Sequence, residues 1–197
     1  MIGPKRVTTS ESLLEHDLPA LVIRGRALLP IVQGGMGVGV SAHRLAGNVA
    51  ALGGLGTIAA VDLRRHHPDL MERSARAAKS VVDAANLEAL DREIRAAREI
   101  AQGRGMIAVN VMRAVSEYAA YVRQACESGA DAIVMGAGLP LDLPDLAAPW
   151  PDVALIPILS DVRGIQLVVR KWARKGRRPV SSTGRPSTRG SSSAGPT

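Results

Sequence analysis

Between Leu29 and Gly39 the chain reads LPIVQGGMGVG, a short apolar run that ends in a cluster of glycines. Leu29, Ile31 and Val32 predict a buried strand, and Gly34, Gly35, Gly37 and Gly39 then strip the side chains from the turn that leaves it. Glycine tolerates positive φ and lets a ligand lie directly on the backbone, where amide N–H groups can face an anion. A helix follows at once. Ser41 stands at its N-cap, Leu45, Val49 and Leu52 fall at i, i+4 and i+7 on one face, and Gly53-Gly54 supplies the stop. The next strand, Leu55 to Ala60, begins immediately, so the unit is strand, glycine turn, helix, strand.

The spacing is not that of a dinucleotide-binding fingerprint, because no acidic residue closes the second strand in the expected way, although Asp62 stands near. No Lys-Ser/Thr pair follows the glycines, which excludes a Walker A loop. Local pattern alone leaves a tight βα turn of some α/β protein. The composition fits that class: there is no Phe, there are 2 Tyr and 2 Trp, and 46% of the residues are apolar. Chains rich in Ala, Val, Leu, Ile and Gly suit parallel strands buried on both faces.

The formal charge of +7 is confined to one end of the chain. After residue 162 there are 9 Lys/Arg and no acid, leaving 16 Lys/Arg against 18 Asp/Glu before it. Arg170, Lys171, Arg174, Lys175, Arg177 and Arg178 have no interleaved aromatic platforms, so a solvated helix end is expected rather than a nucleic-acid surface. The single cysteine, Cys126, excludes an internal disulfide and reads as a small packing residue. Met1 to Pro19 shows no apolar signal region and no run reaches the length of a membrane span, so the expectation is a cytoplasmic protein without a membrane partner.

Downstream the pattern alternates. Asp62 to Val82 is a long polar connection in which His66-His67 reads as a solvated pair before Pro68 at a helix N1 position. Asn86 to Gln102 predicts a helix with Leu87, Leu90, Ile94 and Ala101 inward, laced by Glu88–Arg92 and Asp91–Arg95 pairs and ended by Gly103 and Gly105. Met106 to Met112, MIAVNVM, is a strand apolar except for Asn110. A helix from Ser116 to Glu127 follows, with Tyr118, Tyr121, Val122 and Ala125 inward and Gly129 as its stop. Asp131 to Pro140 is a strand ending in a second glycine turn, Leu143 to Pro151 a loop, and Ala154 to Ser160 a fifth strand. Asp161 then caps a helix with Val162, Ile165, Val168, Val169 and Trp172 inward. Such alternation means a parallel sheet with right-handed crossovers, either an open flavodoxin-like sheet or part of a barrel.

LPIVQGGMGVG, MIAVNVM, DAIVMGAGLP and IPILSD, taken in chain order over Leu29 to about Pro179, resemble the nitronate monooxygenase (2-nitropropane dioxygenase) family. The resemblance implies an α/β fold, a partial (βα)8 TIM barrel with about five of its eight parallel strands, and puts both glycine turns and Asn110 at the C-terminal strand ends, where barrel enzymes keep their sites. It implies FMN as cofactor, an alkyl nitronate and dioxygen as reactants, and a carbonyl compound and nitrite as products. By the same resemblance Gly34, Gly35, Met36, Gly37 and Asn110 are the expected flavin contacts, with Gly136, Ala137 and Gly138 forming a cofactor or substrate loop. Met36 reads equally as an adaptable core side chain.

The catalytic histidine of that family belongs to a later glycine-rich segment, and none of the four histidines here stands in a matching motif. From residue 179 the chain reads PVSSTGRPSTRGSSSAGPT, compositionally a disordered tail, for which a frameshift or a truncation is the expected origin. Residues 1–178 are then the N-terminal part of a flavin-binding barrel that lacks turnover by itself and self-associates through exposed strand edges. Two other readings stand beside this one: an FMN-dependent enoyl-acyl-carrier-protein reductase, and a non-enzymatic fragment that binds through its basic end.

Overall fold

Residues that alternate between two buried faces build a parallel sheet in the computed structural model, which describes residues 18–180. The order is β1 (Leu21–Ile23), β2 (Arg26–Leu28), α1 (His43–Ala51), β3 (Leu55–Ala59), a 3-10 turn (Leu63–His66), α2 (Pro68–Ser74), α3 (Lys79–Ala101), β4 (Met106–Met112), α4 (Tyr118–Glu127), β5 (Ala132–Gly136), α5 (Leu143–Leu146), β6 (Ala154–Pro157) and α6 (Val162–Ala173). The 4-stranded sheet runs β3-β4-β5-β6 in sequence order, every pair parallel. Neighbouring strands joined through helices on one face make this part of a (βα)8 barrel.

Strand alternation sorts the core into two parts. Ile58, Ile107, Val109, Val111, Ile133, Met135 and Leu155 pack outward against the helices. Leu55, Met106, Ala108, Ala132 and Ala154 point to the inner side, where they meet Ile23 and Leu28. Met1 to Ala27 lacks sustained periodicity and predicts only a lead-in over the barrel floor, yet those two residues come from an antiparallel hairpin, β1–β2. Its signal is Arg24-Gly25, which takes φ of 51° and 80°, the mirror-image turn that matches strand twist. Arg26 fastens the hairpin to the sheet through Asp131 (Nη1 to Oδ1 2.9 Å), whose other oxygen accepts the Ile107 N–H. The lower inner face is therefore plugged, not open.

Several local expectations are corrected. The strand expected at Leu29 to Val32 contracts to a single parallel bridge, Val32 to Leu55, and Ile31 and Val32 are more than half exposed. Among the described residues no further strand covers their outer side. On α1 the buried face is Ala46, Gly47 and Ala50, whereas Leu45 and Leu52 are exposed. The reason is close packing on α3: a Cβ on Gly47 would lie 2.8 Å from Ile100 Cβ. On α6, Val168 and Trp172 are buried and Trp172 Nε1 donates to Pro140 O (2.9 Å), but Val162, Ile165 and Val169 are exposed.

Helix α3 begins at Lys79, before the expected Asn86, where a Lys79–Asp83 pair reinforces its first turn. Its Glu88–Arg92 and Asp91–Arg95 pairs form as expected. Asp161 caps α6 through the Gly164 N–H (2.7 Å), and Pro68 starts α2. Lys175 and Arg177, from the basic end, bind Asp145 and the carbonyls of Leu141, Pro151 and Val153. Val180 donates its N–H to Leu155 O (3.0 Å), so the chain still runs beside β6 past the expected boundary at residue 179. The sequence also predicts a helical turn over Ser12 to His16; that segment and the tail from residue 181 lie outside the described residues. Among the described residues no helix is long and apolar enough to cross a membrane.

Candidate functional site

The glycine turn is held from within. Gln33 Oε1 accepts the Thr57 N–H (2.9 Å) and its Nε2 donates to Ser41 Oγ (2.9 Å) and to Gly34 O. Ser41 does not cap α1, where Ala42 takes the N-cap position without a side-chain bond. Instead Ser41 Oγ accepts the Met36 N–H (2.9 Å) and lies 3.2 Å from Gly34 O, while its backbone N–H donates to Met36 O (3.0 Å). Gln33 and Ser41 thus replace the ladder that the shortened first strand lacks. Their polar side chains flanking a glycine run were the signal available in the sequence.

Against this turn sits the upper inner edge of the sheet. Asn110 pairs in register with Ala59 on β3 and Val134 on β5. A Cβ on Gly35 would lie 2.6 Å from both Cβ and Nδ2 of Asn110, and one on Gly37 would lie 2.6 Å from Val61 Cγ1. Both glycines are therefore needed for the turn to approach the sheet. Gly35, Gly37, Asn110, Val111, Val115 and Tyr121 are among the residues lining a cavity of about 80 Å³. Asn110 is half-buried, and its amide has no hydrogen-bond partner among the described residues while facing this space. Burial pushes the Tyr121 phenol up to about 12, with the Asp62, Asp83 and Glu117 carboxylates adding to the effect, so the phenol stays protonated at neutral pH.

The second glycine turn lines a separate cleft of about 610 Å³, with Ala137 and Gly138 facing Ile158, Ser160, Asp161 and Arg163. Gly138 takes φ of 134°, and a Cβ there would lie 3.1 Å from Arg113 Cγ. Arg113 lies 3.9 Å above the Tyr118 ring, and Tyr118 donates to Asp142. The structure thus brings Gly35, Gly37 and Asn110 together, while Ala137 and Gly138 line a different cleft. Gly34, Met36 and Gly136 line neither space; Met36 is 59% exposed, which removes its reading as a core side chain.

Of the histidine pair, His66 is exposed as expected and His67 is not. His67 is not solvated but lies 3.1 Å (Nε2) from Oε1 of the buried Glu93, whose Oε2 is 2.7 Å from His43 Nδ1. No described histidine lines the Asn110 cavity, and no group of His, Cys, Asp and Glu among the described residues converges on a metal position. Cys126 is buried and its thiol is pushed up to about 12 by desolvation, which leaves it an inert packing residue.

In this α/β barrel segment the glycine turns and Asn110 gather at the C-terminal strand ends, the face on which barrel enzymes keep their sites. The family model "NMO: Nitronate monooxygenase" matches residues 25–175, and the chain belongs to the nitronate monooxygenase family. Among solved structures it is similar to FabK from Thermotoga maritima, at 20% identity and a TM-score of 0.48, over 72% of this chain. The match spans 37% of that chain. No curated protein matches.

Proposed function

We propose that this chain is the flavin-facing part of an FMN-dependent oxidoreductase that oxidises alkyl nitronates with dioxygen. The observation that carries the reading is the contact between Gly35 and Asn110, two motif positions far apart in sequence that meet at one cavity. The lining suits a flavin edge: turn backbone without side chains at Gly35 and Gly37, the Asn110 side-chain amide, and a protonated phenol at Tyr121. A cavity of about 80 Å³ admits the edge of a ring and not a whole isoalloxazine.

FMN, when bound, supplies the electron-transfer chemistry. The chain's own residues bind and orient. Asn110 offers an amide NH2 and a carbonyl oxygen to the ring edge, Gly35 and Gly37 let the turn close on Asn110 and Val61, and Val111, Val115 and the Tyr121 ring exclude water behind it. Ala137 and Gly138 border the second cleft, which is of a size for a small substrate.

Titration of the chain with FMN, followed by flavin fluorescence, tests the reading; binding that Asn110→Ala weakens supports it, and no binding by the parent refutes it. Nitrite release from an alkyl nitronate in air assigns nitronate oxidation. NAD(P)H consumption with an enoyl thioester would instead assign the enoyl reductase reading.

A further inference from the structure

Glu93 lies in the middle of α3 with a side chain only 1% exposed, and the cavity does not use it. A carboxylate removed from water must be met by donors or by positive charge. Oε2 accepts the His43 backbone N–H at 2.7 Å and lies 2.7 Å from His43 Nδ1, while Oε1 is 3.1 Å from His67 Nε2, a close approach whose angles make no hydrogen bond. His43 is the first residue of α1, and His67 is the N-cap of α2. Neither helix has a side-chain cap of its own. One carboxylate from α3 therefore serves the orphan N–H at the start of α1, at the positive end of that helix, and lies beside the imidazole of the residue that precedes α2.

Both ends of this arrangement lead to the glycine turn. Two residues before His43 stands Ser41, whose hydroxyl and backbone hold Gly34 and Met36, and whose carbonyl accepts the Ala59 N–H (2.9 Å). Next to His67 stands His66, whose imidazole lies against Gly39 so closely that a Cβ there would overlap the ring. Residues 34–41 are thus suspended between the start of α1 and the 3-10 turn, and Glu93 ties those two supports together.

We propose that Glu93, acting through His43 and His67, is a positioning residue that fixes the conformation of the glycine turn. The part of this proposal that concerns cofactor affinity rests on the flavin reading above. Glu93 touches no ligand: it sets the backbone on which the ligand lies.

The test uses the full 197-residue chain. Amide hydrogen exchange is measured by segment, and FMN affinity by fluorescence, for the parent, Glu93→Ala, Glu93→Gln and His43→Ala. In Glu93→Ala, exchange across residues 34–43 and 62–68 should rise roughly tenfold or more while β4 and β5 keep parental protection, and FMN affinity should fall by a similar factor. Glu93→Gln keeps a carbonyl oxygen for the His43 N–H and should recover most of both. His43→Ala keeps that backbone bond, loses only the imidazole contact, and should give a smaller rise in the same segments. Parental exchange of the turn in Glu93→Ala would overturn the proposal, as would an equal rise in β4 and β5. If Glu93→Ala does not fold, parental exchange of the turn in His43→Ala overturns it. Localised loss of protection without FMN binding by the parent refutes the flavin reading and leaves the positioning role standing. Equal FMN affinity in parent and folded Glu93→Ala refutes the effect on affinity and leaves the flavin reading standing.

Discussion

Gly35→Ala isolates the close approach on which the site depends. The added Cβ would lie 2.6 Å from Asn110 Cβ, 2.6 Å from Nδ2 and 3.0 Å from Cγ. Carbon atoms rest at about 3.5 to 4.0 Å, so the overlap with Asn110 Cβ is about 1 Å. Rotating the amide relieves the Nδ2 contact and leaves the Cβ contact untouched, because Asn110 Cβ is fixed by a strand paired on both sides. The turn must move instead, against the Gln33 and Ser41 bonds that hold it. Overpacking of this kind costs about 1 to 3 kcal/mol. For a domain of this size that lowers Tm by roughly 2 to 12 °C. Gly34→Ala is the control one residue away, because its Cβ meets nothing within 4 Å and should change stability by no more than about 0.5 kcal/mol. Thermal and urea melts of both variants, with FMN titrations alongside, make the comparison. Equal stability and equal FMN affinity in the two variants would show that the turn does not need to touch the sheet at Asn110.

Asn110→Ala should leave the fold intact and weaken FMN retention by about 1 to 3 kcal/mol, since it deletes an amide that makes no hydrogen bond among the described residues; unchanged flavin content after gel filtration would make it a structural residue. Alkaline pH should destabilise the chain through Tyr121. Its folded-state value near 12 lies above the ordinary 10, so its stabilisation is complete below pH 10 and is lost as pH rises through 12; Tyr121→Phe should flatten the pH dependence of urea melts across that window. Cys126, raised from 9 to about 12, acts in the same direction and is removed by Cys126→Ala. The apolar edge at Ile31 and Val32 and the exposed stripe Val162, Ile165 and Val169 on α6 should drive self-association; Ile31→Lys with Val32→Lys should shift the chain toward monomer on size exclusion, and a monodisperse parent monomer would refute this.

The order of elements was legible because it rests on period and punctuation. The β4 run MIAVNVM and the buried positions Leu90, Ile94, Val168 and Trp172 report burial directly, and the Asp161 cap and Pro68 report local backbone chemistry. The hydrophobic face of α1 was misread because periodicity counts large apolar side chains, whereas this helix sits so near α3 that only Ala46, Gly47 and Ala50 fit between them. Leu45 and Leu52 are displaced to the surface by the same geometry. The hairpin was missed because β1 and β2 are three residues each, too short to show alternation, and their buried residues Ile23 and Leu28 find their partners on β3 to β6.

Of the site, the glycines and Asn110 were legible through the family motif and not through local pattern. A glycine in sequence does not say which side chain would collide with its missing Cβ, and it is the collision that separates Gly35 and Gly37 from Gly34. Glu93 was illegible for a related reason. On α3 it falls between the apolar stripe and the i, i+4 ion pairs, and a glutamate there reads as one more solvated charge. Its function is set by two histidines 50 and 26 residues earlier, which reach it only because α1 and α2 both begin against the same point of α3. Long-range polar contacts of this sort carry no periodicity. They become readable once a buried charge is found and its partners are asked to account for the cost of burying it.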